Sequence, residues 1–364
     1  MAKKVVVIAA GGTGGHLFPA AAFAEEMRRR DWRVVLMTDA RGRRYAEGFP
    51  AQRIEDVPAA SITANPFKAI PAMFKIMRGV SEAKQRFREL PPALVAGFGG
   101  YPSFPALMAA RAYNVPILIH EQNAVLGRVN RAMAGSAAAV ACGFERLDRL
   151  PASAQARKHI VGNPVRLPIL AVREKPYPNV PAGGRLNLLI IGGSQGARLF
   201  GEVIPEAIAM LPQDLRARLD VVHQVREEQL SAVRLVYEAA GVTAEAAPFF
   251  TNMGDLLAAA HLVIARAGAS SVTELQVAGR PAILAPFAAA ADDHQTANAE
   301  GLTSVGAADI FSEQDFTPSA LAACLELRLR DTHGLAVRAA AARASAKPEA
   351  AKALADLAER VALE

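Results

Sequence analysis

The chain has 364 residues, of which 52% are hydrophobic and 21% are charged, with a formal net charge of +6 at pH 7. This length is enough for two domains with cores of their own, and this apolar content argues against intrinsic disorder. The two cysteines, Cys142 and Cys324, lie far apart without a CxxC motif, which argues against a disulfide framework or a zinc site and favours a reducing compartment such as the cytoplasm.

Residues 5–16, VVVIAAGGTGGH, predict a buried strand that turns through a glycine-rich loop into a helix. Six consecutive apolar residues, mostly β-branched, favour a strand that is covered on both faces. The glycines allow a sharp turn, and the first amides of the next helix would cradle a phosphate. This apolar run is too short for a signal peptide, and no run reaches the roughly 18 residues of a membrane span, so any membrane contact should be peripheral.

The helix after this loop is predicted over residues 18–30, and a second strand over residues 33–38 ends at Asp39. His16 lies at the mouth of the loop, where a helix N-terminus disfavours positive charge, so a neutral imidazole could accept a proton. The alternative is a histidine that only caps or packs at the helix start. Asp39 stands where a dinucleotide site places an acid on a ribose, which keeps a nicotinamide-dependent dehydrogenase open, although GGTGGH has no third glycine at the required spacing.

Residues 65–88 carry apolar side chains at helical spacings, crowded by lysine and arginine. Pro71 predicts that this segment is not one continuous helix. An apolar stripe usually faces a core, but flexible apolar side chains beside cations also suit a membrane-surface patch. The patch residues would be Phe67, Ile70, Phe74 and Met77. Residues 1–165 hold 23 Lys and Arg against 12 Asp and Glu, and the rest holds 18 against 23, so the basic half suits an anionic partner or is simply a solvated basic face.

Further strands are predicted at residues 94–96, 116–120 and 140–143. The carboxyl ends of parallel strands meet at one edge of a sheet, so polar residues at these ends should line one rim. The expected rim residues are His16, Tyr101, Ser103, His120, Glu121 and Asn123. Residues 160–166 predict a last strand and exit, with a domain boundary near Pro164. Arg166 would then lie at a cleft, either to meet a diphosphate or as a plain surface arginine.

The second half repeats the same pattern at residues 186–197, LNLLIIGGSQGA, where Ser194 can cap a helix and bind a phosphate. A helix is predicted over residues 271–278, and Glu274 inside it could accept two ribose hydroxyls or only complement the helix dipole. Residues 335–364 form an alanine-rich helical pattern interrupted by Pro348, for which we expect a structural role.

Seven motifs, in order across nearly the whole chain, resemble the MurG family of inverting N-acetylglucosaminyltransferases, glycosyltransferase family 28: GGTGGH, GFGGYPS, HEQN, VGNPVR, GGSQGA, RAGASSVTEL and DHQTANA. The resemblance implies an α/β GT-B fold, with two Rossmann-like, doubly wound parallel-sheet domains separated by a deep cleft. It places an acceptor-binding, membrane-facing domain at residues 1–164 and a UDP-GlcNAc-binding domain at residues 165–340. The final helix, at about residues 341–364, would pack back on the first domain.

The resemblance also implies the reaction. GlcNAc would pass, with inversion, from UDP-GlcNAc to the C4 hydroxyl of MurNAc in undecaprenyl-pyrophosphoryl-MurNAc-pentapeptide (lipid I), giving lipid II for peptidoglycan synthesis, cell shape and division. The expected partners are these two substrates, the anionic cytoplasmic face of the bacterial inner membrane and other cell-wall and division proteins, with no nucleic acid. No metal site and no required cofactor are expected, because Asp292 and Asp293 belong to the DHQ loop rather than to a DxD pair, although a divalent cation could stimulate the reaction.

The family's site residues carry over onto matching positions of this sequence. His16 is the candidate general base, with Glu121 and His120 as rivals. The acceptor pyrophosphate would contact Gly12, Gly99, Gly100 and Tyr101. The UDP-GlcNAc contacts would be Thr13, Gly14, Gly15, Asn123, Arg166, Ser194, Phe250, Ala269, Ser270, Ser271, Val272, Thr273, Glu274 and Gln295. Two stretches depart from the family pattern: AAAA before DDHQ, and LGRVN after HEQNAV.

Three other functions stay open at this point. Another GT-B enzyme with a different acceptor would share the donor half, although HEQN and GFGGYPS favour the muramyl acceptor. A dehydrogenase using Asp39 would need one strong dinucleotide motif where the sequence has two loose loops. A nucleotide-sugar-binding scaffold of cell-wall assembly would keep the motifs without turnover.

Overall fold

The structure is a computed structural model that describes residues 3–12, 14–44, 46–61, 66–181, 183–193 and 196–363. Its backbone contacts divide the chain into two units. Unit 1 comprises Met1–Arg166 and Lys347–Glu364, and unit 2 comprises Leu167–Ala346. Each unit is an α/β layer structure built on a parallel sheet.

Strands and helices alternate along the described chain. The strands are β1 (Val5–Ala9), β2 (Arg33–Thr38), β3 (Arg53–Asp56), β4 (Leu94–Gly97), β5 (Ile117–Glu121), β6 (Ala139–Cys142), β7 (Lys158–Ile160), β8 (Leu186–Ile191), β9 (Leu219–Gln224), β10 (Thr243–Ala247), β11 (Leu262–Ala265), β12 (Ala282–Leu284) and β13 (Ala308–Ile310). The helices of the first half are α1 (Gly14–Arg29), α2 (Ala40–Arg43), α3 (Pro66–Glu89), α4 (Phe104–Ala112), α5 (Arg128–Met133) and α6 (Leu167–Arg173). The helices of the second half are α7 (Arg198–Ala209), α8 (Gln213–Arg216), α9 (Leu230–Ala239), α10 (Met253–Ala259), α11 (Ala269–Ala278), α12 (His294–Thr303), α13 (Pro318–Arg330), α14 (Thr332–Ser345) and α15 (Ala350–Val361).

The two sheets share the order of their first six strands, and the sheet of unit 1 adds β7 at one edge. Among the described residues, unit 1 has the strand order β3-β2-β1-β4-β5-β6-β7 and unit 2 has β10-β9-β8-β11-β12-β13. Every pairing is parallel. In both sheets the order reverses direction beside the first strand, which is the doubly wound arrangement that places ligands at the carboxyl ends of the strands. The predicted α/β, doubly wound fold class is confirmed.

The alternation of side chains along β1 explains the core of unit 1. Val6 and Ile8 pack into a cluster with residues of α1 and α15, whereas Val5 and Val7 pack into a cluster with residues of α3 and α4. Because both faces of the strand are covered, all five of its residues are buried and apolar.

Helix α15, at the end of the chain, belongs to unit 1. Its buried side chains, Leu354 and Leu357 among them, join the same cluster as α1. Arg30, at the end of α1, donates to the carboxylates of Asp356 and Glu359 at 2.6 and 2.8 Å. The alanine-rich pattern predicted from residue 335 is thus two helices, α14 in unit 2 and α15 in unit 1.

Three local predictions were wrong. Helix α1 begins at Gly14 instead of residue 18, because the glycines themselves form its first turn. Helix α3 runs unbroken through Pro71, because proline removes only one backbone donor and Pro71 lies on the exposed side of the helix near Phe67 and Ile70. The last strand of unit 1 is Lys158–Ile160, and residues 161–166 are irregular.

Candidate functional site

The glycine loop of unit 1 brings His16 against a second glycine pair. His16 is the third residue of α1 and is half-buried. Gly99 and Gly100 follow β4 with φ of +87° and +74°, a backbone conformation that favours glycine. A Cβ atom on either glycine would lie 3.3 Å from a carbon of the His16 ring. The structure therefore brings His16, Gly99 and Gly100 together, and side chains at the two glycine positions would crowd the ring.

A chain of hydrogen bonds runs from His16 into the interior of unit 1. His16 Nδ1 lies 2.9 Å from Gln122 Oε1. Gln122 Nε2 lies 2.9 Å from His120 Nδ1 and donates at 3.1 Å to the carbonyl of His120. His120 Nε2 lies 3.1 Å from the carbonyl oxygen of Gly162. The sequence analysis gave Gln122 no role, because nothing in the motif shows which of its polar residues faces His16.

His120 lies below the expected rim. It is the fourth residue of β5, it is 1% exposed, and its ring packs against Phe98 at 5.2 Å between centroids. Burial lowers the pKa of His120 to about 4, so its ring is neutral near pH 7. A ring this deep cannot reach a substrate hydroxyl. The structure thus corrects the expectation that His120 lines the rim and favours a positioning role over a role as general base.

Glu121 is also buried rather than exposed at the rim, because β5 extends one residue further than predicted and includes it. Its Oε1 accepts hydrogen bonds from the backbone N–H and the side-chain amide of Asn123, both at 3.1 Å. Its Oε2 accepts from the backbone N–H of Gly127 at 2.9 Å and from Asn130 Nδ2 at 2.8 Å. A carboxylate that accepts four hydrogen bonds organises the loop after β5 and is poorly suited to remove a proton from a substrate.

Tyr101 and Asp39 form a contact of their own. The Tyr101 hydroxyl donates to Asp39 Oδ2 at 3.0 Å, and the Asp39 Oδ1 atom accepts from the backbone N–H of Gly42 at the start of α2. Ser103 is buried and donates to the carbonyl of Gly100 at 2.7 Å, so it does not line the rim as expected. Asp39 therefore serves as a helix cap, and this disfavours the ribose role that a dehydrogenase would need.

Two cationic and polar positions complete the described part of the unit 1 site. The Arg166 guanidinium lies 4.5 Å from the centre of the Phe18 ring, on the helix that carries His16. Asn123, half-buried, is held by Glu121 as described above. Of the other predicted contacts, Gly14 is buried at the start of α1, Gly15 is exposed, and Gly12 has a φ of +90°. Thr13 and Ser194 lie outside the described residues.

The glycine loop of unit 2 is held by Gln224, the last residue of β9. Gln224 Oε1 accepts from the backbone N–H of Gly192 at 3.2 Å. Its Nε2 donates to the carbonyls of Gly193 and Pro248 at 3.1 and 3.2 Å. A Cβ on Gly192 would lie 2.4 Å from the backbone nitrogen of Ala197, so only glycine fits there. No local sequence pattern distinguishes Gln224 from the other residues of β9, so the sequence analysis gave it no role.

Helix α11 carries the predicted donor segment. Ala269, Val272 and Thr273 are buried, so a ligand could meet them only through their backbone. Ser271 and Glu274 are half-buried, and Glu274 is the sixth residue of the helix, in its second turn. The hydroxyl of Ser270 is buried and has no hydrogen-bond partner among the described residues. An unsatisfied hydroxyl in the first turn of a ten-residue helix suits an anionic ligand.

The remaining predicted donor residues lie on neighbouring loops of unit 2. Gln295 is half-buried, and its Oε1 accepts from the backbone N–H of Phe287 at 2.9 Å, which directs the amide nitrogen away from that bond. Phe250 is half-buried in the loop after β10. Arg266, which sequence reasoning did not select, donates to the carbonyls of Ala285 and Pro286 and forms an ion pair with Glu313 at 2.7 Å. Through these hydrogen bonds Arg266 stabilises the segment after β12.

The apolar residues of α3 form an exposed surface that we call the α3 patch: Phe67, Ile70, Met73, Phe74 and Met77, which are 50–87% exposed. Ile76, Ala83 and Phe87, on the other side of the helix, are buried in unit 1. The interpretation of the stripe as a core face was therefore wrong for the patch residues. Lys75 and Arg78 are exposed beside them. No helix in the described chain is long and apolar enough to cross a bilayer.

Two further observations concern metals. The described residues contain no group of three or more His, Cys, Asp or Glu side chains arranged to hold an ion. Asp292 and Asp293 both have left-handed backbone conformations, with φ of 57° and 51°, and both are exposed. The prediction that no metal is required stays a prediction.

Comparison with known proteins gives matches along nearly the whole chain. Residues 6–142 match the glycosyltransferase family 28 N-terminal domain, and residues 187–358 match the glycosyltransferase family 28 C-terminal domain. Two relatives carry the name UDP-N-acetylglucosamine--N-acetylmuramyl-(pentapeptide) pyrophosphoryl-undecaprenol N-acetylglucosamine transferase. The protein of Maricaulis maris is 53% identical over 98% of this chain and 97% of its own length. The protein of Caulobacter vibrioides is 50% identical over 99% of both chains.

Solved structures give the same result for the fold. The crystal structure of Acinetobacter baumannii MurG is 33% identical to this chain, covers 98% of it and 99% of its own length, and superimposes with a TM-score of 0.79. A glycosyltransferase of kitacinnamycin, at 18% identity and a TM-score of 0.68, shares the fold. The predicted GT-B fold is confirmed.

Proposed function

Because the chain belongs to glycosyltransferase family 28, we propose that it transfers N-acetylglucosamine from UDP-GlcNAc to the MurNAc C4 hydroxyl of lipid I, giving lipid II. The observation that carries this proposal is the similarity, at 50–53% identity over nearly full length, to transferases whose names state the donor sugar and the acceptor. The dehydrogenase and the non-enzymatic scaffold are not favoured.

The proposed general base is His16. In the reaction, the acceptor C4 oxygen forms a bond to the anomeric carbon, the bond from that carbon to the β-phosphate oxygen breaks, and UDP leaves with the electron pair. The proton of the C4 hydroxyl passes to His16 Nε2. This nitrogen has no hydrogen-bond partner among the described residues, and the ring is only half-buried, so it can receive a substrate proton. The other two candidates for the general base, His120 and Glu121, are buried, and their side chains form hydrogen bonds within unit 1.

The departing UDP carries the negative charge that develops in the transition state, and unit 2 offers groups that suit it. The first turn of α11 presents backbone N–H groups, and the unsatisfied Ser270 hydroxyl lies in the same turn. We propose that these groups and Arg166 bind the diphosphate and that Glu274 accepts ribose hydroxyls. We further propose that Gln295 uses its amide nitrogen to bind the GlcNAc ring, while Gly99, Gly100 and Tyr101 bind the acceptor pyrophosphate.

The proposed location is the cytoplasmic face of the bacterial inner membrane, with peripheral attachment. The α3 patch supports it, because exposed phenylalanine and methionine beside exposed Lys75 and Arg78 suit an anionic lipid surface. The lipid-linked acceptor requires the enzyme to work at such a surface.

Transfer of radiolabelled GlcNAc from UDP-GlcNAc to a lipid I analogue tests the function, with UDP-glucose as the control donor. We expect labelled disaccharide-lipid from UDP-GlcNAc, and a His16→Asn variant that binds UDP normally but turns over at least about 100-fold more slowly. Repeating the assay with EDTA tests the metal prediction, since loss of activity that Mg²⁺ restores would contradict it. No transfer by a protein that still binds UDP would refute the proposed acceptor.

Vesicle binding tests the membrane proposal. Phe67, Phe74 and Met77 are replaced together by serine, and vesicles containing an anionic phospholipid are used. Full burial of one such side chain contributes about 1.5–3 kcal/mol, so even partial insertion of three predicts at least about tenfold weaker binding. A control variant carries Leu235→Ser and Leu327→Ser, which are 66% and 60% exposed in unit 2. Equal binding by both variants would contradict the role of the patch.

A further inference from the structure

We propose that Gln122 is a positioning residue that fixes the protonation of the His16 ring, holding the proton on Nδ1 and leaving Nε2 as the basic nitrogen. The inference concerns a residue outside the set of substrate contacts, and its catalytic consequence rests on the function proposed above. It starts from the hydrogen bonds that join His16, Gln122, His120 and Gly162.

One backbone carbonyl fixes the orientation of the Gln122 amide. Gln122 Nε2 lies 3.1 Å from the carbonyl oxygen of His120, and a carbonyl oxygen can only accept a hydrogen bond. The nitrogen of the amide must therefore face His120, and the oxygen must face His16. This orientation places Gln122 Oε1 2.9 Å from His16 Nδ1. Because an amide oxygen carries no hydrogen, His16 Nδ1 must donate.

A second backbone carbonyl, that of Gly162, independently fixes the position of the proton on the His120 ring. His120 Nε2 lies 3.1 Å from the carbonyl of Gly162, so Nε2 carries the proton of the His120 ring. Burial keeps that ring neutral, which leaves Nδ1 without a proton and able to accept from Gln122 Nε2 at 2.9 Å. Both ends of this series of hydrogen bonds therefore require the same orientation of the Gln122 amide. In that orientation every donor in the series faces an acceptor.

The consequence for catalysis lies in the choice of nitrogen. A neutral imidazole has one donor nitrogen and one acceptor nitrogen, and a general base needs the acceptor toward the substrate. With Nδ1 as donor to Gln122, the lone pair is on Nε2, the nitrogen without a described protein partner. If the amide were absent, the proton could move to Nε2, and that form of the ring cannot accept a proton from a hydroxyl there.

Nitrogen-15 NMR of histidine-labelled protein tests the proton position directly, and the transferase assay tests its consequence. The signals of His16 are assigned by their absence from the His16→Asn variant. The test variant is Gln122→Met, which keeps the length of the side chain and removes both amide groups. The matched control is Gln52→Met, which removes a glutamine oxygen that accepts from the backbone N–H of Val34 elsewhere in unit 1.

A second variant keeps the test decisive. Gln122→Glu retains an oxygen opposite His16 Nδ1 and can carry a carboxyl proton on the oxygen that replaces Nε2, toward His120. We expect wild type, Gln52→Met and Gln122→Glu to show the His16 proton on Nδ1, and Gln122→Met to show it at least partly on Nε2. In Gln122→Met we expect kcat to fall at least about tenfold, and by no more than the roughly 10²–10⁴-fold that general-base catalysis contributes in all, with the KM for UDP-GlcNAc nearly unchanged.

The outcomes separate the two proposals. A wild-type spectrum with the His16 proton on Nε2, or a Gln122→Met spectrum identical to wild type, would overturn the role of Gln122. If the wild-type protein transfers no GlcNAc, the proposed function fails, while the spectra still decide the position of the proton. If Gln122→Met does not fold, the role stands only if Gln122→Glu folds and keeps the proton on Nδ1.

Discussion

The replacement Glu121→Gln separates a structural from a catalytic role for a carboxylate that is a rival of His16 for the role of general base. Glu121 is 1% exposed, and its two oxygens accept four hydrogen bonds, from Asn123, Gly127 and Asn130. A glutamine keeps one of these oxygens and turns an NH₂ group toward the two donors of the other. Two hydrogen bonds are lost, and the two N–H groups that donated to the replaced oxygen then face the NH₂ group of the glutamine.

The expected cost follows from the charge of the acceptor. A hydrogen bond to a charged group contributes about 1.5–3 kcal/mol, so the loss of two predicts a decrease of about 3–6 kcal/mol in the free energy of unfolding. For a domain of this size each kcal/mol lowers the melting temperature by about 2–4 °C, which predicts a decrease of at least about 6 °C. The KM for UDP-GlcNAc should rise as well, because Glu121 holds Asn123.

Differential scanning calorimetry and steady-state kinetics measure both effects. The control is Glu82→Gln, which breaks an exposed ion pair with Arg78 and should cost no more than about 1 kcal/mol. A Glu121→Gln protein as stable as this control, or one of normal stability whose kcat falls as far as that of His16→Asn, would refute the structural role and return Glu121 to the candidates for general base.

Two further predictions concern stability. Arg280 is 1% exposed and donates to four carbonyls at the ends of α10 and α11. We therefore expect Arg280→Met to lower the free energy of unfolding, measured by urea denaturation, by about 3 kcal/mol or more. A decrease below about 1 kcal/mol would contradict this. The pKa of His120 is about 4 in the folded protein, against about 6.5 for a histidine in the unfolded chain, so the unfolded chain takes up the proton first as the pH falls. As the pH falls from 6.5 to 4, this residue should lower the free energy of unfolding by about 3 kcal/mol, with no contribution above pH 6.5. In a His120→Phe variant the free energy of unfolding should therefore decline less steeply with falling pH. An unchanged decline would refute the assignment.

The general plan of the molecule is readable from the sequence because it rests on strong, local patterns. Apolar runs followed by glycines at residues 5–16 and 186–197 predict both first strands and their loops, and these are β1 and β8. Strand-end positions were predicted within one or two residues for β4, β5 and β6. These features depend on backbone conformation and on burial of both faces of a strand, which residue types largely determine.

What could not be read is the direction of individual side chains where a strand ends. HEQN places four polar residues in a row, and the structure buries His120 and Glu121 within β5, which extends one residue further than predicted. A side chain inside a strand of such a sheet is covered by the layers on both faces, whereas a side chain in the following loop is not, so the end of β5 decides whether Glu121 is buried. Pro71 did not interrupt α3, because the cost of a proline inside a helix depends on whether that side of the helix faces water, which the sequence does not show.

In both units the side chain of a glutamine supports the glycine loop or the ring beside it. In the proposed function, each glycine loop presents backbone or ring atoms to an anionic ligand, and glycine gives the loop little stiffness of its own. Gln122 holds the ring behind the first loop, and Gln224 holds Gly192 and Gly193 of the second. An amide donates and accepts at once and carries no charge. If these loops bind phosphates as proposed, a carboxylate there would repel the ligand and an ammonium could not accept a hydrogen bond, so a neutral amide suits both loops.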